Sequence, residues 1–266
     1  MTFASTVVLG GIAGFTIYLG LPVARLRHLP QAWRTFLNAL AVGILVFLLF
    51  DVISKASEPI TSAIDSAKTG NPGYFFLLVT LFGLGVGVGL LSLVYFDRMF
   101  IRAKAKAAQQ GEATPVQLAF MIAAGIGLHN FSEGLAIGQA AASGAIGFAA
   151  ILIVGFGLHN TTEGFGVAAP MTASESVKRP TWRLLGLLGL IAGGPTFLGT
   201  IVGYSVYSEP LFVLFLALAA GSILYVISEL INVGRKIGLR EVAMWGIFAG
   251  FVIAYATDLI LTWGGA

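Results

Sequence analysis

The chain contains no cysteine, only three histidines and few charged residues. The lack of cysteine excludes disulfide bonds, so any bound metal ion must take imidazole, carboxylate or amide ligands. Only 10% of the 266 residues are charged, whereas 57% are hydrophobic. A soluble domain covers its exterior with polar groups, which this composition does not supply. The sequence therefore predicts a membrane protein.

Apolar stretches of about 20 residues, enough to cross the ~30 Å hydrocarbon core of a bilayer, recur along the chain. They predict an all-α protein with eight transmembrane spans, at residues 3–22, 35–54, 74–96, 116–139, 144–169, 184–206, 211–232 and 242–263. All but Lys55 and Lys68 of the 15 basic residues fall in loops on one side. The positive-inside rule makes that side cytoplasmic and places both termini outside. These basic residues are explained as topology signals, so we expect no nucleic-acid partner.

The spans are predicted to form one transmembrane domain over residues 1–266, in the cytoplasmic (plasma) membrane. In the external segment 55–73, Ser57 is expected to begin a short amphipathic helix. The segment 97–115 is basic and cytoplasmic, and its composition predicts a mobile loop. The 35 glycines favour close helix contacts in lipid and are compatible with a homodimer.

Short matches suggest an internal repeat. Ile12-Ala13-Gly14 matches Ile191-Ala192-Gly193, and the segment from Gly43 to Asp51 matches the segment from Gly221 to Glu229. In the predicted topology the matching spans run in opposite directions. We therefore expect inverted three-helix repeats, spans 1–3 and 6–8, flanking a central pair of spans, which is an architecture typical of transporters.

The strongest signal is one phrase that occurs twice, in spans 4 and 5. The copies are Gly127-Leu128-His129-Asn130-Phe131-Ser132-Glu133-Gly134 and Gly157-Leu158-His159-Asn160-Thr161-Thr162-Glu163-Gly164. Each copy places a histidine and a glutamate four residues apart, on one face of a helix. A short turn joins the two spans, so they are antiparallel neighbours with both motifs near the bilayer midplane.

The predicted span interiors contain no lysine or arginine, so Glu133 and Glu163 would have no counter-ion from the protein. Buried carboxylates must then be protonated or paired with a cation. Together with His129 and His159 they would neutralise a divalent ion such as Zn²⁺, Fe²⁺, Mn²⁺ or Co²⁺. The amide oxygens of Asn130 and Asn160 are weaker candidate ligands. The alternative interpretation is a protonated polar seam that holds two helices together.

The remaining acids suggest a route through the membrane. Asp51 and Asp258 are predicted near the outer ends of spans 2 and 8, where they would attract cations to an entrance. Glu229 and Asp97 are predicted near the inner ends of spans 7 and 3, where they would serve an exit. Acids at span ends are also often simply solvated.

These residues resemble the ZIP (Zrt/Irt-like protein) family of divalent metal transporters. His129-Asn130-Phe131-Ser132-Glu133-Gly134 is similar to the family's His-Asn-x-Pro-Glu-Gly of span 4, and the second copy is similar to its span-5 counterpart. The resemblance implies eight spans, external termini and inverted repeats. It also implies a primary metal site of His129, Glu133 and Glu163, with Asn130, Asn160 and a shared Glu163 at a second site.

The sequence departs from the family pattern at several positions. Ser132 and Thr162 replace prolines, so helix kinks at the site are expected to be smaller. In span 6, where the family usually has Glu-Pro, this chain has Gly194-Pro195, and Leu45 stands about where some members have a methionine. We therefore predict one strong metal site with a weak neighbour.

The leading hypothesis is a transporter that moves Zn²⁺, or Fe²⁺, Mn²⁺, Co²⁺ or Cd²⁺, toward the cytoplasm by alternating access, without an organic cofactor. His159 would be the fourth ligand or a gate. The first alternative is an intramembrane metal-dependent hydrolase, in which Glu133 or Glu163 would be the base. The second is a metal-sensing or structural membrane protein, which would leave the acids near the span ends without a role.

Overall fold

The computed structural model describes residues 1–26, 30–70, 72–96, 98–99, 114–142, 144, 146–172, 179–206 and 208–263, without the side chains of a few helical residues such as His159. All regular structure within these ranges is helical. In chain order it comprises α1 (Phe3–Phe15), α2 (Ile17–Gly20), a 3-10 turn (Leu21–Arg25), α3 (Gln31–Lys68), α4 (Gly73–Phe96), α5 (Pro115–Ala142), α6 (Ile146–Thr172), α7 (Trp182–Ser205), α8 (Glu209–Ile237) and α9 (Arg240–Trp263).

Seven helical stretches among the described residues are long and apolar enough to cross a membrane. They correspond to every predicted span except the fifth, which falls in the 27-residue helix α6. The apolar windows of α4 and α9 are only 22% and 17% buried, so these helices present apolar side chains outward, as lipid-facing helices do. The chain is thus an all-helical, multi-pass membrane protein, and the count of eight spans stays a prediction.

The first predicted span, 3–22, is not one continuous helix. It is divided at Thr16 into α1 and α2 and continues as a 3-10 turn to Arg25. The hydroxyl of Thr16 lies 2.7 Å from the carbonyl oxygen of Ala13 and 2.5 Å from that of Gly157 in α6. A hydroxyl group that bonds to backbone carbonyls interrupts the regular hydrogen bonding of a helix. Because one of these carbonyls belongs to α6, the break lies directly beside the helix that carries the second motif.

The second predicted span, 35–54, is much longer than expected. Helix α3 runs without interruption from Gln31 to Lys68 and contains Pro59, so the separate helix predicted to begin at Ser57 does not exist. Proline removes one helical hydrogen bond, but the extension buries Ala63 against Leu78 of α4 and Val213 of α8. Tertiary packing therefore outweighs the local helix-breaking signal. Most of the predicted mobile loop 97–115 lies outside the described residues.

The positions that the sequence repeat aligns make equivalent contacts in the folded chain. A Cβ atom added at Gly43 would lie 2.1 Å from the carbonyl oxygen of Ile247, and one added at Gly221 would lie 2.2 Å from that of Val86. Helix α3 thus packs against α9 as α8 packs against α4. Small residues at both crossings let the backbones touch, which is how helices associate in lipid.

The two helices that begin the aligned repeats, α1 and α7, contact each other at equivalent residues. A Cβ atom added at Gly14 would lie 2.3 Å from the carbonyl oxygen of Gly193, and one added at Gly193 would lie 2.3 Å from that of Gly14. This reciprocal contact is what two copies related by a twofold axis would make. Helices α5 and α6, with the two motifs, pack beside this crossing.

Candidate metal centre

The first motif forms a buried histidine–glutamate pair on α5. The Nε2 atom of His129 lies 3.1 Å from the Oε1 atom of Glu133, one helical turn away. The two residues are 2% and 4% exposed, so they are removed from solvent within the packed helices. The four-residue spacing of His129 and Glu133 predicted that they share a helical face, and their side chains are in direct contact.

The second motif brings another carboxylate to the same place. Glu163 on α6 is 2% exposed and interacts electrostatically with Glu133. The side chain of His159 lies outside the described residues. Three of the four predicted ligands, His129, Glu133 and Glu163, are therefore buried together between α5 and α6.

The two motif asparagines form a bridge across four helices. Asn130 donates to the side-chain oxygen of Asn160 at 2.5 Å and to the carbonyl oxygen of Ala192 at 3.0 Å. Asn160 donates to the carbonyl oxygen of Ala13 at 3.2 Å and to Glu133 Oε2 at 3.4 Å. These bonds link α5, α6, α1 and α7, and they orient the carboxylate of Glu133.

This bridge changes the interpretation of the asparagines as ligands. The side-chain oxygen of Asn160 already accepts a hydrogen bond from Asn130. The Oδ1 atom of Asn130 is buried and accepts no hydrogen bond from the part of the chain that the structure describes. Asn130 thus retains a free acceptor beside the carboxylates, whereas Asn160 in this conformation holds the helices together.

Removing the side chain of Asn160 tests this bridge. We expect Asn160→Ala to lower the free energy of unfolding by about 1–3 kcal/mol, because buried partners on α1 and α5 lose their hydrogen bonds. Thermal unfolding of the detergent-purified protein measures the effect. Asn232→Ala is the matched control, because Asn232 is exposed on α8. Equal melting temperatures for the two variants would contradict the bridging role.

The glycine that ends each motif lets its helix approach a neighbour. A Cβ atom added at Gly134 would lie 2.1 Å from the carbonyl oxygen of Thr196 in α7. One added at Gly164 would lie 2.4 Å from the carbonyl oxygen of Ile17 in α2. Each motif therefore presents its glutamate next to a backbone contact that fixes the position of the helix.

Helix α3 carries a lysine that faces α6, the helix of the second motif. Lys55 follows the predicted span 35–54 by one residue, its side chain is 37% exposed, and its Nζ atom lies 2.7 Å from Asp51 Oδ2. Both groups act electrostatically on His129 and Glu133. Glu133 therefore has a cation of the protein in its neighbourhood, which is already paired with Asp51.

The predicted entrance and exit acids have different surroundings. Asp51 is 19% exposed in its side chain and lies within α3, which continues to Lys68. Asp258 on α9 is partly buried and interacts electrostatically with Asp51 and Lys55. Glu229 is partly buried on α8, and Asp97 lies outside the described residues. The Asp51–Lys55 ion pair thus interacts electrostatically with Asp258.

No group of three or more histidine, aspartate or glutamate side chains among the described residues is arranged to hold a metal ion. His129 and Glu133 make a two-ligand pair, and Glu163 faces it at longer range. The sequence did not indicate the backbone carbonyls of Ala13 and Ala192, which take part in the bridge. Backbone oxygens carry no sequence signature, although both alanines lie in the matched segments of the repeat.

Two comparisons relate this chain to known proteins. Residues 101–258 match the family model described as ZIP Zinc transporter, and both motifs lie inside this range. The chain is also 30% identical over 268 residues to a protein named zinc transporter ZupT from Chlorobium luteolum (strain DSM 273 / BCRC 81028 / 2530). That match covers 98% of this chain and 99% of the relative. Both matches are to transporters, so the comparisons favour the transporter hypothesis over the hydrolase alternative. The chain belongs to the ZIP zinc transporter family.

Proposed function

We propose that this protein carries Zn²⁺ across the cytoplasmic membrane toward the cytoplasm, and that the ion binds to His129, Glu133 and Glu163. The main support for this proposal is that a buried His129–Glu133 pair faces a second buried glutamate, in a chain that belongs to this family. Imidazole and carboxylate groups are ligands that Zn²⁺ takes in proteins. Fe²⁺, Mn²⁺, Co²⁺ and Cd²⁺ are further candidates, because the same ligand types bind them.

A bound cation explains the glutamates better than a structural seam does. The helices that carry them are already held by backbone contacts at Gly134 and Gly164 and by the asparagine bridge. Two carboxylates add repulsion to this interface unless a proton or cation lies between them. Ionisable groups inside a membrane are costly, and they usually line a substrate pathway.

A single metal ion fits this arrangement better than two. His129 and Glu133 are in contact, and a small movement of Glu163 with a water molecule would complete a four-coordinate site. A second ion would need the oxygen of Asn160, which bonds to Asn130, and a carboxylate near Gly194, where none exists. We propose His159 as an additional ligand or a gate.

Alternating access is supported by the paired contacts between helices. Equivalent glycine contacts join α3 to α9 and α8 to α4, and the break at Thr16 places a short, irregular helix beside the site. Inverted repeats of this kind let one bundle rock against the other around a central site. We propose that spans 1–3 and 6–8 are such repeats, with both termini outside the cell and with a homodimer as the assembled form.

The alignment of the two repeats also divides the four acids between two mouths of the proposed transport pathway, an entrance and an exit. Asp51 occupies the position in α3 that Glu229 occupies in α8, at the end of the matched segments. Gly85 of α4 packs against α8 as Gly246 of α9 packs against α3, and at the same spacing Asp97 corresponds to Asp258. We therefore propose Asp51 and Asp258 at the entrance, and Glu229 and Asp97 at the exit.

Zinc uptake by proteoliposomes tests the proposed function. Liposomes with the purified wild-type protein and a trapped fluorescent zinc indicator are expected to show saturable uptake, and protein-free liposomes only a slow leak. Competition with Fe²⁺, Mn²⁺, Co²⁺ and Cd²⁺ then ranks the metals. Zinc binding by the detergent-purified protein without flux under any gradient or pH would contradict transport and would favour a metal sensor.

A further inference from the structure

Lys55 is a charged residue in an unusual place. It lies within the long helix α3, its side chain is only 37% exposed, and it makes an ion pair with Asp51 one turn earlier. The proposed metal chemistry uses no lysine, so the role of Lys55 is unexplained.

The ammonium group of Lys55 lies close to the proposed metal site. Its Nζ atom is 5.7 Å from the centre of the ring of Phe156, which is buried on α6 one turn before Asn160. This is cation–π range, and it places the charge against the helix that carries the second motif. The same ammonium acts electrostatically on His129, Glu133 and Asp258. Lys55 thus pairs with Asp51 and faces the helix that carries the second motif.

The matching position in the other repeat has no such charge. Asp51 in α3 corresponds to Glu229 in α8, and four residues further along, Lys55 corresponds to Val233. The acid is therefore present in both copies of the repeat, whereas a lysine at this position is present in the first copy only.

We propose that Lys55 is a tethered cation that occupies the acidic entrance, so that an incoming divalent cation must displace it from Asp51 to reach the His/Glu site. This inference rests on the proposed transport function. When the site holds no metal, the ammonium neutralises Asp51 and partly compensates Glu133. When a metal ion enters, Coulomb repulsion drives the flexible side chain of Lys55 away. The lysine lowers the affinity of the entrance for cations in general.

Zinc uptake kinetics of Lys55 variants in proteoliposomes test this role. We expect Lys55→Met to lower the KM for zinc about tenfold, or about 1.4 kcal/mol, with little change in kcat, because the competing cation is gone. Lys55→Arg is expected to keep a KM near that of the wild type, because it keeps the charge. Asp51→Asn is expected to raise the KM, because the ammonium is then left uncompensated beside the metal site.

Lys68→Met is the matched control, because Lys68 also pairs with an aspartate of α3, but its side chain is 71% exposed. If wild-type liposomes show no saturable uptake, the proposed transport function is wrong. If they do, and the KM of Lys55→Met is unchanged or raised, the tethered-cation proposal alone is wrong. A loss of kcat without a lower KM would identify a structural lysine. If the methionine variant does not fold, an unchanged KM in Asp51→Asn would overturn the proposal.

Discussion

Replacing Glu133 with glutamine is expected to reduce zinc uptake by roughly 100-fold or more, because changes one shell further from a metal already cost 10- to 100-fold. Glutamine keeps the size of the side chain and a hydrogen bond to His129, but it removes the negative charge that would bind the ion. Initial uptake rates in proteoliposomes measure the effect. Glu163→Gln is expected to behave in the same way, because Glu163 is the second buried carboxylate.

The control for this prediction is Glu241→Gln, which makes the same chemical change at an exposed position in the first turn of α9. Uptake by this variant is expected to equal that of the wild type. Thermal stability should be measured for all variants, because losing a buried charge can also stabilise a helix interface. Near-normal uptake by Glu133→Gln would show that the ion crosses without binding this carboxylate.

Replacing Gly134 with alanine is expected to have the largest effect on stability. The added Cβ atom would lie 2.1 Å from the carbonyl oxygen of Thr196 and 2.8 Å from the backbone nitrogen of Thr200. Backbone atoms cannot rotate away as a side chain does, so α5 and α7 must separate. Overpacking typically lowers the free energy of unfolding by about 1–3 kcal/mol. Because the added atom meets backbone atoms here, we expect a loss at or above the upper end of that range. Unfolding temperature and monodispersity in detergent measure the loss.

Gly83→Ala is the matched control, because Gly83 lies in the middle of another apolar helix and an added Cβ atom there meets nothing within 4 Å. This variant is expected to be as stable as the wild type or slightly more stable, because alanine favours the helix. Gly164→Ala is expected to resemble Gly134→Ala, because its Cβ atom would meet the carbonyl oxygen of Ile17. A stable, active Gly134→Ala would contradict the close α5–α7 crossing.

The sequence predicted the membrane class and most helices, because both follow from local composition. A run of apolar residues long enough to span lipid has few alternatives to a helix. The His129–Glu133 contact was also predictable, since residues four apart meet on any helix. The family followed from the doubled motif, and the comparisons confirmed it.

The features that the sequence did not predict depend on contacts between distant segments. A separate helix was predicted to begin at Ser57, yet α3 continues to Lys68 and packs Ala63 against α4 and α8. The asparagine bridge uses backbone carbonyls on α1 and α7. Every residue has a backbone carbonyl, so residue types cannot indicate which ones will take part. Thr16 divides the first span by bonding to α6, a contact that only the fold supplies.

The central claim is that the two motifs form the binding site of the transported metal. Zinc K-edge X-ray absorption of the purified protein, loaded with one equivalent of Zn²⁺, tests it most directly. The account predicts nitrogen and oxygen ligands at about 2.0–2.2 Å. It also predicts an imidazole scattering signal that decreases in His129→Ala. A zinc spectrum identical in the wild type and His129→Ala would place the ion elsewhere and contradict the account.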